Sequence, residues 1–222
     1  MIKGIAASKG YAIGTIYLHE EVEVKITAEL AKDIKEEKEK LQKAVEKSKT
    51  QIAKIKEKTT ETMGEEKAEV FEAHLTLLDD PEFTGAMELE IENNSSNAMK
   101  AVDDVMNTFV TIFESMDDEY MRERAADIKD VSKRIIANIA GTSVGGFDIE
   151  EENTIVVAHD LTPSDTAQLD KSKVIAFLTN IGGRTSHSAI MARTVEIPAV
   201  VGLKDITSQA KTGDKGIVDG IE

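Results

Sequence analysis

The sequence predicts a discontinuous α/β domain that is interrupted by an inserted all-α helical-bundle domain. Two observations favour this fold class: the positions of the glycines and the change of apolar periodicity along the chain. Only two of the 14 glycines lie between residues 21 and 140, so the middle of the chain is poor in residues that break helices. We expect an α/β domain formed by residues 1–20 and 145–222, and a helical domain formed by residues 21–144.

Short apolar and β-branched runs, bounded by turn residues, predict the strands. They are Tyr11–Leu18, Thr154–Ala158, Val174–Leu178, Ile197–Val201 and Gly216–Val218. The first run cannot form a stable sheet alone, so we expect it to pair with the strands after residue 150. The alternative is two successive domains with a loose N-terminal arm. Short helices are predicted to open at Thr162-Pro163 and near His187.

Apolar residues at spacings of three, four and seven predict a long first helix in the middle segment. Its apolar stripe consists of Leu30, Ile34, Leu41, Val45, Ile52 and Ile55. A second helix carries Phe71 and Leu78. We expect Asp80-Pro81 to end this helix and to begin the helical piece that continues it.

The same spacing predicts two further helices. One is capped by Ser95 or Ser96 and buries Val102, Val105, Phe109, Ile112 and Phe113. The other follows Asp117-Asp118 and ends at Gly141, which suits a left-handed C-cap. Because the connections are short, we expect antiparallel neighbours in a bundle.

The composition excludes several classes of protein. The chain of 222 residues contains no cysteine, which excludes disulfides, thiolate nucleophiles and cysteine zinc sites. No apolar run approaches the roughly 20 residues that span a bilayer, and the N-terminus lacks a signal-peptide pattern. We therefore expect a cytoplasmic protein without membrane insertion. The net charge of −15 argues against nucleic acid as a partner.

The acidic charge is concentrated in the helical segment. Residues 65–120 contain 16 acidic residues and two basic ones, Lys67 and Lys100. Such a block is most often a solvated helix face. The other interpretation is a surface that attracts a basic protein partner.

The residues best suited to bind a ligand or to react cluster in one segment, Asn180–Arg193, which follows a predicted strand and opens a helix. The paired glycines Gly182 and Gly183 allow the backbone to approach a ligand closely, and the amides of a helix start favour an anion. Arg184 and the hydroxyl of Ser186 add donors. In this setting the imidazole of His187 is a candidate nucleophile toward a phosphoryl group; a structural histidine is the alternative.

The other three histidines do not suggest a metal site. His19, His74 and His159 lie far apart in the sequence and show no metal-ligand spacing, so we expect no metal ion within this chain.

The segment Gly182–Arg193 resembles the phosphohistidine signature shared by Enzyme I of the sugar phosphotransferase system, pyruvate phosphate dikinase and phosphoenolpyruvate synthase. Three other segments resemble the Enzyme I family in particular: Gly64–His74, Asp118–Ile128 and Asp160–Leu169. The opening Gly4–Ser8 also fits, although Lys9 stands where the family commonly has proline. The four ordered motifs cover nearly the whole chain, which is identified as a member of the Enzyme I family.

The resemblance implies a phosphohistidine (swivelling) α/β domain in which His187 carries the phosphoryl group on Nε2. The family takes this group from phosphoenolpyruvate, with Mg²⁺, and passes it to the histidine-containing phosphocarrier protein HPr. The residues expected to support the histidine or its phosphate are Thr166, Lys67, Gly183, Arg184 and Ser186. For Lys67, a salt bridge to Glu66 or Glu72 is the alternative.

The helical insert resembles the HPr-docking domain of the family. The partner-binding residues implied by the resemblance are Glu65, Glu66, Glu72, His74, Leu77, Glu82 and Arg124. Leu77 is either an exposed apolar anchor or part of the core, and helical spacing does not decide between the two.

Members of the family continue with a C-terminal barrel domain that binds phosphoenolpyruvate and Mg²⁺ and forms a homodimer. We expect these 222 residues to lack that barrel, to bind no Mg²⁺ themselves and to be monomeric. They would then exchange phosphoryl groups with phosphorylated HPr without using phosphoenolpyruvate alone. Two alternatives stay open: the phosphohistidine domain of a dikinase or synthase, and a non-catalytic acidic helical adaptor.

Overall fold

The computed structural model describes residues 2–20, 24–142, 146–147 and 149–221. The chain divides into two compact units. The first, which we call the sheet unit, comprises Met1–Val22 and Gly145–Glu222. The second, the helical unit, comprises Glu23–Val144. None of the described helices is long and apolar enough to cross a membrane.

The sheet unit is built on one six-stranded sheet. In chain order its strands are β1 (Ile5–Ser8), β2 (Tyr11–Leu18), β3 (Thr154–Ala158), β4 (Val174–Thr179), β5 (Ala199–Val201) and β6 (Lys215–Asp219). Their order across the sheet is β1-β5-β4-β3-β2-β6. The strands β2, β3, β4 and β5 are parallel, and β1 and β6 pair antiparallel at the two edges.

The predicted partner of the N-terminal strand is confirmed. Residues 15–18 of β2 pair in register with residues 154–157 of β3, so the N-terminal segment belongs to the sheet and is not a loose arm. Strand β1 was not predicted, and β5 is shorter than the predicted Ile197–Val201. Proline has no backbone N–H to donate to a ladder, and β5 begins directly after Pro198.

The helical unit contains five helices in the described part of the chain. They are α1 (Ile34–Met63), α2 (Glu65–Asp79), α3 (Pro81–Asn94), α4 (Ala98–Glu114) and α5 (Glu119–Ala140). The predicted boundaries at Asp80-Pro81, Asp118 and Gly141 are confirmed. Asp80 accepts from the N–H of Glu82, and Gly141 adopts the left-handed conformation with φ 72°.

Three predictions about the helices are wrong. Leu30 lies before α1 and is 69% exposed, because Asp33 caps the helix and starts it later. The cap of α4 is Asn97 and not Ser95 or Ser96. The Asn97 amide also donates to the carbonyls of Thr27 and Glu29, so a tertiary contact selects it. Ile112 is 48% exposed rather than buried.

Both faces of the sheet are covered. Side chains of β3 alternate between two apolar clusters: Val156 packs with Phe177 on one face, and Ile155 with Ala176 on the other. Every residue of β3 is buried, as expected for a central parallel strand. Because β2, β3 and β4 are parallel neighbours, their carboxyl ends lie at the same edge of the sheet.

Candidate functional site

The described residues of the sheet unit also form three short helices: α6 (Pro163–Thr166), α7 (His187–Val195) and α8 (Ile206–Gln209). His187 is the first residue of α7 and is half-buried. The loop that leads to it, residues 180–186, begins at the carboxyl end of β4. Ala189 and Ala192 of α7 pack into the cluster on one face of the sheet, which holds the helix and places His187 near the sheet edge.

Ser186 caps the helix that begins with the histidine. Its Oγ accepts from the N–H of Ala189 at 3.4 Å and donates to the carbonyl of Gly183 at 2.8 Å. The first turn of α7 contains no acidic residue. This helix start thus keeps the partial positive charge that favours an anion.

The two glycines of the loop differ in what they permit. Gly182 has φ +111°, and a Cβ built there would lie 3.1 Å from Ser186 Oγ. Gly183 lacks a positive φ, and a Cβ there would meet nothing within 4 Å. The backbone conformation at position 182 therefore requires glycine, whereas position 183 lies beside open space.

Two side chains that the sequence did not single out hold this loop at its ends. At the start, the Asn180 amide bonds to His159 Nδ1 and to the hydroxyl and backbone N–H of Thr207. Further along, the guanidinium of Arg193 donates to the carbonyl of Ala7 at 2.9 Å and to that of Arg184 at 3.0 Å. Both residues lie inside the segment identified from the sequence. Only their position within it gave any signal, because Thr207, a partner of Asn180, and Ala7, a partner of Arg193, are remote in the sequence.

Thr166 is the last residue of α6, a helix in contact with α7. A reciprocal capping box between Thr162 and Asp165 holds α6. The Thr166 side chain is buried, and its Oγ1 lies 3.1 Å from the carbonyl of Thr162 and 3.0 Å from that of Pro163. Since a carbonyl can only accept, the hydroxyl proton is used inside this turn. Oγ1 is left with acceptor capacity only.

Six of the seven predicted partner-binding residues lie on α2 and α3, and Arg124 lies on α5. Those that are exposed on α2 and α3 are Glu65, Glu66, Glu72 and Glu82. Leu77 is half-buried.

Lys67, a predicted phosphate-supporting residue, has its Nζ 2.9 Å from Glu66 Oε1. This is one of the salt bridges considered as its alternative role. The other candidate partner, Glu72, pairs with Lys56.

His74 does not belong to this exposed surface. Its ring is fully buried, packs edge-on against Phe71 with centroids 5.7 Å apart, and has Nε2 3.1 Å from Asp127 Oδ1. The other carboxylate oxygen of Asp127 lies 3.3 Å from Nη1 of Arg124. His74 is thus a core residue linked through Asp127 to Arg124, and its contact with a partner stays a prediction.

The resemblance implies Mg²⁺ for the family. The described residues do not provide a set of ligands that fits this ion. No three His, Asp or Glu side chains of the described residues come together as metal ligands. Hard divalent cations need several oxygen ligands, so we derive no step through a metal here.

Family profiles match most of the chain. One described as "PEP-utilising enzyme, N-terminal" matches residues 3–124, and one described as "PEP-utilising enzyme, mobile domain" matches residues 150–222. The two matches fall on the N-terminal segment with most of the helical unit, and on the later strands with the His187 loop.

Curated relatives carry the name phosphoenolpyruvate-protein phosphotransferase. The protein of Staphylococcus carnosus is 51% identical over 220 residues, which is 99% of this chain and 38% of the relative. The protein of Listeria monocytogenes is 48% identical over 221 residues, or 39% of its length. The chain thus spans about two fifths of the length of these relatives.

Solved structures agree with the fold. An NMR solution structure of an Enzyme I protein, nEIt, is 50% identical, has a TM-score of 0.83, and is matched over 100% of this chain and 90% of that one. A structure called "N-terminal domain of Enzyme 1 - Nitrogen" shares the fold at 24% identity, with a TM-score of 0.66 over 99% of this chain and 90% of the other. The chain therefore belongs to the phosphoenolpyruvate-utilising enzymes, and it corresponds to the N-terminal part of Enzyme I.

Proposed function

We propose that this chain carries a phosphoryl group on Nε2 of His187 and exchanges it with the histidine of HPr. In this proposal the sheet unit is the phosphohistidine domain of a cytoplasmic Enzyme I, and the helical unit is the inserted HPr-docking domain. The observation that carries the proposal is the position of His187. It is half-exposed at the first position of α7, in a glycine-containing loop whose serine cap and amides favour a dianion.

The transfer balances without any other reactant. The lone pair of neutral His187 Nε2 attacks the phosphorus of phosphorylated HPr, and the N–P bond in HPr breaks as the new N–P bond forms. The released HPr imidazole keeps the electron pair. Because both states are phosphoimidazoles, the reaction is close to isoergic, and the protein contributes positioning and charge stabilisation.

Thr166 supports the reactive tautomer in this proposal. Its hydroxyl proton is used by the carbonyls of its own turn, so Oγ1 acts as an acceptor for the Nδ1–H of His187. A proton held on Nδ1 leaves the Nε2 lone pair available for attack. Arg184, exposed in the loop, and Ser186 would then balance the charge of the phosphoryl group. Lys67 stays a predicted phosphate-supporting residue.

HPr docking is assigned to the acidic surface of α2 and α3, with Arg124 at its margin. The exposed residues of that surface are Glu65, Glu66, Glu72 and Glu82. A basic partner would be attracted to it at low ionic strength, and its encounter rate would fall as salt screens the charges. Buried His74 would act on docking only through Asp127, which also holds Arg124.

The match covers 38% of the Staphylococcus carnosus protein. We assign the binding of phosphoenolpyruvate and Mg²⁺ to the remaining part of such relatives, which lies beyond the match. The 222 residues alone would then accept phosphate from phosphorylated HPr but not from phosphoenolpyruvate with Mg²⁺, and would be monomeric. Rapid labelling of these 222 residues by phosphoenolpyruvate with Mg²⁺ would contradict this assignment.

The direct test uses phosphorylated HPr as donor and mass spectrometry of the chain. We expect acid-labile, base-stable phosphate on His187, none in His187→Ala, and a wild-type level in His19→Gln. His19 is a control histidine of the same unit: it follows β2 and packs against Phe147 with ring centroids 4.6 Å apart and the planes tilted by 43°. HPr affinity should be unchanged in His187→Ala. A chain that binds HPr but never takes up phosphate would be an adaptor.

A further inference from the structure

We propose that Asn180 is a positioning residue for the His187 loop, and that its side-chain amide, which clamps the start of the loop, also holds His159 in one neutral tautomer. The proposal rests on the proposed function, since the group being positioned is the phosphoryl acceptor. It is carried by three side-chain hydrogen bonds at the point where the loop leaves β4.

The orientation of the Asn180 amide follows from Thr207. The backbone N–H of Thr207 can only donate, and it lies 3.1 Å from Asn180 Oδ1. The oxygen of the amide must therefore face Thr207 N, which places the NH₂ group opposite. That group uses one hydrogen on Thr207 Oγ1 at 2.7 Å and directs the other at His159 Nδ1, 3.2 Å away.

The protonation of His159 follows in turn. A nitrogen that faces an amide hydrogen must accept, so Nδ1 carries no proton and the ring is neutral with its proton on Nε2. A ring protonated on both nitrogens would point an N–H at an N–H. The exposed His159 ring is thus held in one tautomer by a side chain that is itself buried.

The same cluster fixes the start of the loop. Asn180 is 7% exposed, its N–H donates to the carbonyl of Ala158 at 3.1 Å, and its carbonyl accepts from Lys204 at 2.7 Å. The next residue, Ile181, donates to the carbonyl of His159 at 3.2 Å. His159 is therefore tied to the loop by both its backbone and its ring.

Rigidity at this point matters because the loop continues through two glycines before it reaches His187. A loop with Gly182 and Gly183 has little stiffness of its own, and in-line transfer is sensitive to displacements of the order of 1 Å. The side-chain contacts of Asn180 join β3, β4 and the first turn of α8 around the loop start. Without them, backbone contacts and the bond from Thr179 Oγ1 to the carbonyl of Ile181 at 2.7 Å remain there.

Two substitutions separate the tautomer from the clamp. Asn180→Asp keeps an oxygen for Thr207 N–H, but its second oxygen can only accept, so His159 must donate from Nδ1 and its tautomer reverses. Asn180→Ala removes all three side-chain bonds. Asn107→Ala is the matched control, because Asn107 is exposed on α4 in the helical unit.

The first measurement is the ¹⁵N spectrum of the His159 ring at a pH of about 8.5, where an ordinary histidine is neutral. We expect the Nε2–H tautomer in the wild type and in Asn107→Ala, the Nδ1–H tautomer in Asn180→Asp, and a mixture in Asn180→Ala. An Nδ1–H tautomer or a mixture in the wild type would overturn the proposal. This result does not depend on phosphoryl transfer, so it stands apart from the proposed function.

The second measurement is the rate of phosphoryl transfer from phosphorylated HPr, together with HPr affinity and the thermal midpoint. Asn180→Ala should slow transfer about 10–100-fold with HPr affinity unchanged, while Asn180→Asp keeps most of the rate. Transfer at the wild-type rate in Asn180→Ala would overturn the proposal. If that variant fails to fold, Thr207→Val, which removes only the hydroxyl, must slow transfer with an unchanged thermal midpoint; otherwise the proposal is wrong.

Discussion

Ser186 Oγ and Ser188 Oγ lie 3.1 Å apart, although their residues flank His187 in the chain. The first hydroxyl caps α7, and the second belongs to a buried side chain in its first turn. His187 thus lies in the chain between two hydroxyls that contact each other. Its backbone position is determined by the cap rather than by the loop alone.

The cap makes a prediction that separates stability from charge. Ser186→Ala removes the side-chain acceptor at the helix start and should lower the free energy of unfolding by about 1 kcal/mol. Ser186→Asp restores a capping oxygen, but places a negative charge beside the phosphoryl group. We expect Asp to restore the thermal midpoint and to depress phosphohistidine formation further than Ala. If Asp restores both, the charge of this position is irrelevant to transfer.

The two loop glycines form a matched pair of test sites. Gly182→Ala forces an L-residue into φ +111° against Ser186 Oγ, and should cost about 1–3 kcal/mol of stability. Gly183→Ala meets nothing within 4 Å and should leave the thermal midpoint near the wild type. Any loss of transfer in Gly183→Ala then reports on close approach of the ligand. Equal thermal midpoints for the two variants would contradict this assignment.

The core position of His74 predicts that it stabilises the helical unit rather than contacting HPr. His74→Ala leaves a cavity and removes a contact of Asp127, so the free energy of unfolding should fall by about 2–4 kcal/mol. His74→Gln, which can still donate toward Asp127, should leave HPr affinity near the wild type. Arg124→Gln should weaken it about tenfold, equivalent to about 1.4 kcal/mol. If His74→Gln weakens binding as much as Arg124→Gln, the ring must leave the core to meet the partner.

Glu37 predicts a pH-dependent contribution to the stability of the helical unit. Burial by itself raises the pKa of its carboxyl, but the hydrogen bond from Lys40, the backbone N–H of Ala98 and the charge of Lys40 together lower that pKa below its ordinary value. Because the folded-state pKa is depressed, the ionised form stabilises the fold. This contribution is fully present above the unfolded-state pKa and is lost as the pH falls through the lower folded-state value.

Glu37→Gln should therefore destabilise the chain by about 1 kcal/mol at neutral pH, and the difference from the wild type should shrink as the pH falls from the unfolded-state pKa through the lower folded-state pKa. Denaturant unfolding of both proteins at several pH values measures this difference in the free energy of unfolding. Glu39→Gln is a suitable control, since Glu39 makes one exposed contact to Lys43 at 3.9 Å. A difference between wild type and Glu37→Gln that does not vary with pH would rule out the carboxylate as its source.

The elements that the sequence predicted correctly depend on local chemistry. The caps at Asp80 and Asp118, the C-cap at Gly141 and the strand Tyr11–Leu18 all follow from spacing or from the properties of one residue. The errors arise where a distant contact prevails over a local signal. Asn97, not its serine neighbours, caps α4 because its amide also reaches the carbonyls of Thr27 and Glu29.

The sequence by itself determined most of the strands and helices, though not β1, as well as the family and His187 as the candidate phosphoryl acceptor, because periodicity, caps and a contiguous motif are local properties. Only the tertiary structure decided that Asn180 and Arg193 hold the His187 loop and that His74 is a core residue. The partners of those side chains are separated from them by 27, 186 and 53 residues, and contacts at such distances leave no periodic trace in the sequence.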